Sequence, residues 1–469
     1  MSTGVIVGSG PNGLAAAVAL ARAGLTVTVI EARDTIGGGT RTEELTVPGL
    51  LHDVCSAVHP LAVGSPFLRT LDLGRHGLQW RWPDIDLAHP LDGGAAGVLV
   101  QSVDDTARGL GADGRAWRRT FARSAARFDD LANDILRPLA HLPAHPLVLA
   151  RFGIGALAPA SLIARQFRGD EARALFGGIA AHSFRPLTSW TSASVGLALG
   201  GAAHRFGWPV AVGGSRSITD ALAADLLAHG GRIETGRRVT SIREVEDADV
   251  VMLDVSPTAA LSLAAGRLPE RVARAYRRYR YGPAAFKLDL AVEGGVPWTA
   301  EACRRAGTVH VGGTFEQIAA AEADAAAGRM PARPFVLIGQ QYLADPSRSV
   351  GDVHPVWAYA HVPHGYCGDA APAILRQIER FAPGLRERIV ASVARTPAQY
   401  ETYNANYVGG DISTGANDAV QMLLRPRLAF DPYSTGVPGV YLCSAATPPG
   451  GGVHGMCGAN AAASALRHL

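Results

Sequence analysis

The chain is 469 residues long, with 44 basic and 41 acidic residues and a net charge of +3, which offers no electrostatic footprint for nucleic acid. Its length holds two or three domains, and 48% apolar with 7% aromatic residues excludes a disordered chain. Five scattered cysteines (Cys55, Cys303, Cys367, Cys443 and Cys457) show no CxxC spacing, which argues against a disulfide framework, a zinc site or a dithiol pair.

From the amino terminus, the β-branched run Gly4–Val7 predicts a buried strand. It leads directly into Gly8-Ser9-Gly10-Pro11-Asn12-Gly13, a GxGxxG. A helix-forming stretch follows and ends at Gly24, a suitable C-cap residue. A second strand, Thr26–Ile30, then delivers Glu31. Each part has a physical role. Gly8 allows a tight turn, Gly10 lets a pyrophosphate approach the backbone, and Gly13 lets helix and strand pack closely. The helix N-terminus attracts the phosphates. Glu31 is placed to accept hydrogen bonds from ribose hydroxyls. Strand, helix and acid at the right distance together point to an ADP moiety.

Beyond Glu31 the chain reads Ala32-Arg33-Asp34-Thr35-Ile36-Gly37-Gly38-Gly39-Thr40-Arg41. A second glycine set there suits a long extended cofactor whose ribityl chain passes this loop, and so FAD rather than NAD. Further along, Leu139–Phe167 contains no acidic residue. It reads as packed helices of a substrate domain, with an alternative in which it dips into a membrane surface with Arg151 and Arg165 at its polar edge. Gly213-Gly214 precede a predicted helix over Ile218–Ala228. Ala248–Leu253 reads as another buried strand, and Lys287, the single lysine, lies on a strand-like run where pairing with a nearby carboxylate is expected.

Near the carboxyl terminus, strand Gly439–Leu442 is followed by Gly450-Gly451-Gly452-Val453-His454 and a helix predicted from about Gly458 to Leu466. In a doubly wound sheet, ligands lie across the carboxyl ends of the strands. This late strand would return to that sheet and set its glycines beside the far end of the cofactor. The helix dipole would then favour the reduced flavin.

With these stretches in place, the sequence resembles the phytoene dehydrogenase-like FAD-dependent oxidoreductases. The similar branch is that of pyridine nucleotide-disulfide oxidoreductase domain-containing protein 2 and bacterial carotenoid desaturase- and ketolase-type enzymes. The segments that carry the resemblance include VCSAVHPLAVGSPFL, AAHSFRPLTSW, YGPAAFKLDLAVEGGVPW and YLCSAATPPGGGVHGMCGANAA. The resemblance implies an α/β fold: an FAD-binding Rossmann-type domain of the glutathione reductase and monoamine oxidase kind, with a discontinuous α+β substrate domain. It implies non-covalent FAD held by Gly8, Gly10, Pro11, Asn12, Gly13, Glu31, Ala32, Arg33, Gly38, Gly39, Thr40, Arg41, Val239, Ala446, Gly452, Val453 and His454. In many relatives an Arg follows the paired glycines directly. Here Gly39 stands there and Arg41 comes two residues later.

The expected division is a cofactor domain from residues 1–80, 204–274 and 416–469, and a substrate domain from 81–203 (helical) and 275–415. Hydride transfer to a flavin needs mainly positioning, and His454 and His59 are the candidate catalytic residues. His182 is a further cavity candidate, while Cys443 and Cys457 read as small buried residues. No metal is expected. The expected substrate is small and lipophilic, isoprenoid or carotenoid-like, with oxygen, a quinone or another acceptor reoxidising the flavin, since no second GxGxxG follows a strand. An amine oxidase and a non-catalytic FAD-binding interaction protein are the alternatives. A cytoplasmic protein, with or without peripheral membrane contact, is expected, because no leader precedes the first strand and no segment reads as a spanning helix.

Overall fold

The computed structural model describes residues 2–138 and 141–469. Strands Thr3–Val7, Thr26–Ile30, Arg232–Glu234, Val250–Leu253 and Val440–Leu442 form one wholly parallel sheet. Their spatial order begins with Val440–Leu442, continues through Val250–Leu253, Thr3–Val7 and Thr26–Ile30, and ends with Arg232–Glu234. Both faces are covered. Ile6, Val27, Val29 and Met252 pack on one side with Leu14, Val18 and Leu222, and Val7, Ile30, Val251 and Leu253 pack on the other with Val239 and Leu263. A strand buried on both faces can carry an unbroken apolar run, which is why Val250–Leu253 reads VVML.

Helices Pro11–Arg22 and Met456–Leu466 lie side by side on this sheet, although more than 430 residues separate them in sequence. A Cβ at Gly458 would lie 1.8 Å from the Asn12 carbonyl oxygen, and one at Gly13 would lie 2.2 Å from that of Gly8. The two glycines bring helix to helix and helix to strand at backbone contact. The C-terminal helix starts at Met456, two residues before the expected Gly458, because Gly455 takes φ +67° and His454 Nδ1 accepts the Met456 N–H. The middle helix likewise begins earlier, at Arg216.

A second sheet of seven strands has the order Ile389–Arg395, Ala284–Glu293, Val353–Val362, Val336–Gly339, Ala306–Val311, Ile85–Pro90, Ala96–Leu99. It is antiparallel except where Ala306–Val311 meets Ile85–Pro90. The 81–203 segment is therefore not purely helical. Ile85–Pro90 and Ala96–Leu99 form a hairpin on the edge of this sheet; helix Asp170–Ala181 packs over one of its faces, and Ser192–Phe206 packs on that helix. Within the acid-free stretch, Leu139 and Ala140 lie outside the described residues. The rest forms helices Pro146–Ala156 and Ala160–Ala164. Among the described residues no helix is long and apolar enough to cross a membrane.

Candidate functional site

The carboxyl ends of the parallel strands open onto one continuous cavity of about 1090 Å³. Its first wall is the glycine loop. Gly8 adopts φ +105°, and Gly10 precedes the first helix without capping it through a side chain; the Asp254 carboxyl takes the Gly13 N–H from beneath, while Gly10, Pro11 and Asn12 border the cavity. Glu31 is held firmly: Ser9 donates through N–H (3.0 Å) and Oγ (2.6 Å) to Oε2, and the Arg33 N–H donates to Oε1 at 2.9 Å. Pro11, Asn12, Ala32, Arg33, Gly38, Gly39, Thr40, Arg41 and Val239 all border the same space.

Two of the expected contacts fall elsewhere. Gly13 does not line the cavity; its missing side chain serves helix–strand packing, as the 2.2 Å clearance shows. Ala446 is fully buried below the surface, and Ser444 and Ala445 line the cavity in its place. Arg41 compensates only in part for the missing Arg after the glycines. It is buried and donates to the Thr35 and Gly38 carbonyls, with Glu31 Oε1 3.6 Å away and the Tyr403 ring 5.4 Å from its guanidinium carbon. It ties the loop together rather than extending into the cavity.

Asp254, which the sequence reading passed over, directly follows the Val250–Leu253 strand at the switch point of the sheet. Its Oδ2 accepts the Gly13 N–H at 3.1 Å and would lie 2.7 Å from a Cβ on Gly10. Gly10 thus makes room for a buried carboxyl beneath the loop as well as for whatever lies above it. Burial pushes the Asp254 carboxyl up to about 7, and the nearby Glu31 charge adds to this.

The far wall holds Gly451, Gly452, Val453 and His454. His454 is buried, and burial lowers its imidazole to about 4. Because Nδ1 accepts the Met456 N–H at 3.1 Å, the proton of the neutral ring sits on Nε2. The ring is a donor here rather than a base. His59 is also neutral, lowered by burial to about 4. Its Nε2 meets Ser215 Oγ at 2.8 Å, and that hydroxyl spends its only hydrogen on the Ser56 carbonyl at 2.7 Å. The His59 proton is therefore on Nε2, and Nδ1 is a buried lone pair without a partner.

Beyond the glycines the lining becomes aromatic and aliphatic. Trp357 and Tyr359 project from alternate positions of Val353–Val362, with ring centres 4.9 Å apart at 82°, and Phe184 stacks on Tyr359 at 6.3 Å. The alternation was present in the sequence as VWAYAHV, a period-two pattern that could have identified this wall. His182 also lines the chamber and lies 3.1 Å, Nε2 to Nε2, from His310. Lys287 does not reach the cavity. It is fully buried, donates to the Asp53 carbonyl and pairs with Asp289, two residues along its own strand. Cys443 and Cys457 are buried free thiols. Among the described residues, no group of three or more His, Cys, Asp or Glu side chains is placed to hold a metal. The acids bordering the cavity are Glu31 and Asp254, both at the glycine-loop end.

Residues 6–71 match the NAD(P)-binding Rossmann-like domain family. Over its length the chain is similar to pyridine nucleotide-disulfide oxidoreductase domain-containing protein 2 of Rattus norvegicus, 25% identical over 558 residues that cover 99% of this chain and 93% of that one. Among solved structures it resembles an oxidoreductase from Methanosarcina mazei, with a TM-score of 0.63 at 16% identity, covering 99% of this chain and 100% of the other. It also resembles putrescine oxidase bound to putrescine, with a TM-score of 0.62 at 18% identity, covering 100% and 98%. These structural likenesses establish a Rossmann-type α/β fold with a second sheet domain.

Proposed function

We propose that the protein is an FAD-dependent oxidoreductase that dehydrogenates or desaturates a lipophilic organic substrate. The observation that carries this reading is one continuous cavity, which runs from the Gly10–Asn12 helix N-terminus and a ribose-height carboxylate, past a second glycine wall, into an apolar and aromatic chamber. The residues present fit FAD. Gly8 to Asn12 would face the pyrophosphate, Glu31 the adenosine ribose, Val239 the adenine, and Gly451 to His454 the flavin ring. Bound there, FAD would supply a two-electron acceptor for carbon-bound hydrogen.

The chain's own residues do the remaining work. The glycine loop positions the cofactor and the aromatic wall orients the substrate. Neutral His454 holds the Gly450–Gly451 backbone at the flavin end through its ring N–H, and the apolar lining excludes water. An isoprenoid-like substrate is the reading that the sequence motifs suggest and that the apolar, aromatic chamber would suit, reoxidation then falling to oxygen, a quinone or another small acceptor.

An amine oxidase is the second reading, favoured by the likeness to putrescine oxidase and by the crossed Trp357–Tyr359 pair. The chamber end of the cavity offers no described carboxylate to hold the second ammonium of a diamine, which weighs against it. The test is the visible spectrum of the purified protein, with the released cofactor identified by chromatography, followed by anaerobic mixing with polyenes, long-chain alcohols and amines. FAD with bleaching by an apolar donor supports the proposal. Bleaching by amines alone selects the second reading. FAD that no donor bleaches supports the non-catalytic binding protein, and a protein that cannot take up FAD overturns all three.

A further inference from the structure

We infer that the rim of the apolar chamber docks on an anionic lipid bilayer, so that the cavity opens toward the membrane. Eleven of the sixteen large apolar side chains exposed among the described residues fall in two stretches, Leu142–Trp190 and Val420–Phe430. Leu147 and Ile154, on helix Pro146–Ala156, are 75% and 78% exposed, and Phe430 is fully so. The stretches are neighbours. The Thr191 N–H, beside Trp190, donates to the Leu157 carbonyl at 3.0 Å, and Ser194 Oγ donates to Met422 Sδ at 3.6 Å.

The patch is continuous with the chamber. Leu157 and Leu423 are each about half exposed and also line the cavity, so it meets the surface between them. Helix Pro146–Ala156 turns Leu149, Phe152 and Ala156 inward and Leu147 and Ile154 outward. One short helix thus serves both the chamber and the exterior.

Charge selects the occupant. Between Asp134 and Asp170 the chain carries Arg137, Arg151, Arg165 and Arg168 and no acid, and all four arginines are exposed. Exposed apolar side chains interspersed with exposed arginines over 137–168, with the first acids of the stretch only at Asp170 and Glu171, suit insertion at the level of anionic headgroups. A second copy of the chain is a poorer occupant, because a two-fold interface would bring the same arginines face to face.

The experiment is co-sedimentation of the full chain with phosphatidylglycerol–phosphatidylcholine vesicles and with phosphatidylcholine alone. It reads lipid binding rather than turnover, so it succeeds or fails independently of the proposed chemistry. Wild type should pellet with the anionic vesicles and be released by high salt. The double variant Leu147→Asp, Ile154→Asp should lose at least fivefold in bound fraction with its melting temperature unchanged. Leu227→Asp, at an exposed apolar site on helix Arg216–Ala228, should bind as wild type does. Phe430→Asp gives a second reading from the other stretch should the double variant misfold. Wild type that stays in the supernatant with every vesicle overturns the inference, as does undiminished binding by both folded patch variants. A dimer that these substitutions dissociate, without lipid binding, overturns it in favour of self-association.

Discussion

From Gly8 to Arg41 the cavity wall is drawn in by glycines, and a Cβ on Gly10, Gly38 or Gly39 would come within 2.7, 2.9 and 2.1 Å of a neighbouring atom; from Ile135 to Leu157 it is side chain, with Leu149, Phe152 and Leu157 filling the space. The first wall is held by hydrogen bonds to Glu31 and Asp254 and tolerates almost no added volume. The second is held by dispersion and apolar burial, where one methylene more or less is absorbed by rearrangement. One end is therefore specified atom by atom and the other mainly by volume, as suits a cofactor of fixed shape beside a substrate of variable shape.

Substitutions break this contrast in a graded way. The largest effect is expected from Gly458→Val or Gly13→Val, whose new Cβ would meet backbone oxygen at 1.8 and 2.2 Å. Destabilisation of about 3 kcal/mol or more, with loss of bound flavin, should appear in thermal melts and in the flavin-to-protein absorbance ratio. Next comes Asp254. Its folded-state value of about 7 lies above the ordinary 3.8, so the native state keeps an extra proton between those values. Stability from this group is fully present near pH 4, falls as pH rises toward 7 and is level above, by an amount on the order of a few kcal/mol. Asp254→Asn should flatten that fall in pH-resolved melts; an unchanged profile would place the titration elsewhere.

Glu31→Gln removes the charge that accepts from Ser9 and Arg33. Charge-assisted bonds of this kind contribute about 1.5–3 kcal/mol, so FAD affinity should drop roughly tenfold or more in equilibrium titration, with little change in substrate affinity. The smallest effect belongs to the other wall. Phe152→Ala should leave flavin content and pH profile intact while raising the apparent KM for an apolar donor about threefold to tenfold, through lost burial alone. A Phe152→Ala variant that lost its flavin would erase the distinction between the two walls.

The same division decides what was legible beforehand. Gly8, Gly10 and Gly38 could be placed on the cavity because backbone approach leaves a mark in the sequence, glycines at fixed spacing after a strand; Glu31 followed from its position at the end of the second strand, and Val239 came from the family resemblance alone. Asp254 left no such mark. A single Asp after VVML gains its meaning only when its strand lands beside the first one, 246 residues away in sequence. The hairpin at Ile85–Leu99 escaped because IDLAHP is buried at every position and lacks the alternation that betrays a half-buried strand. Ala446 was placed one residue too far along, since the turn after Val440–Leu442 turns Ser444 and Ala445, not Ala446, toward the cavity. Lys287 met its expected carboxylate, on its own strand at Asp289.

The order of strands in the parallel sheet also bears on how the protein is born. Thr3–Val7 lies between Thr26–Ile30 and Val250–Leu253, and the far edge is closed only by Val440–Leu442. At synthesis rates of roughly 5–20 residues per second, the ribosome needs on the order of tens of seconds to deliver those later partners. Until Arg232–Glu234 and Val250–Leu253 have been made, the nascent chain carries a two-stranded fragment with unpaired apolar edges, the sort of surface that chaperones hold. Gly458 can dock on Asn12 only once the chain has been extended by a further 446 residues, so the glycine loop acquires its final backing late in synthesis.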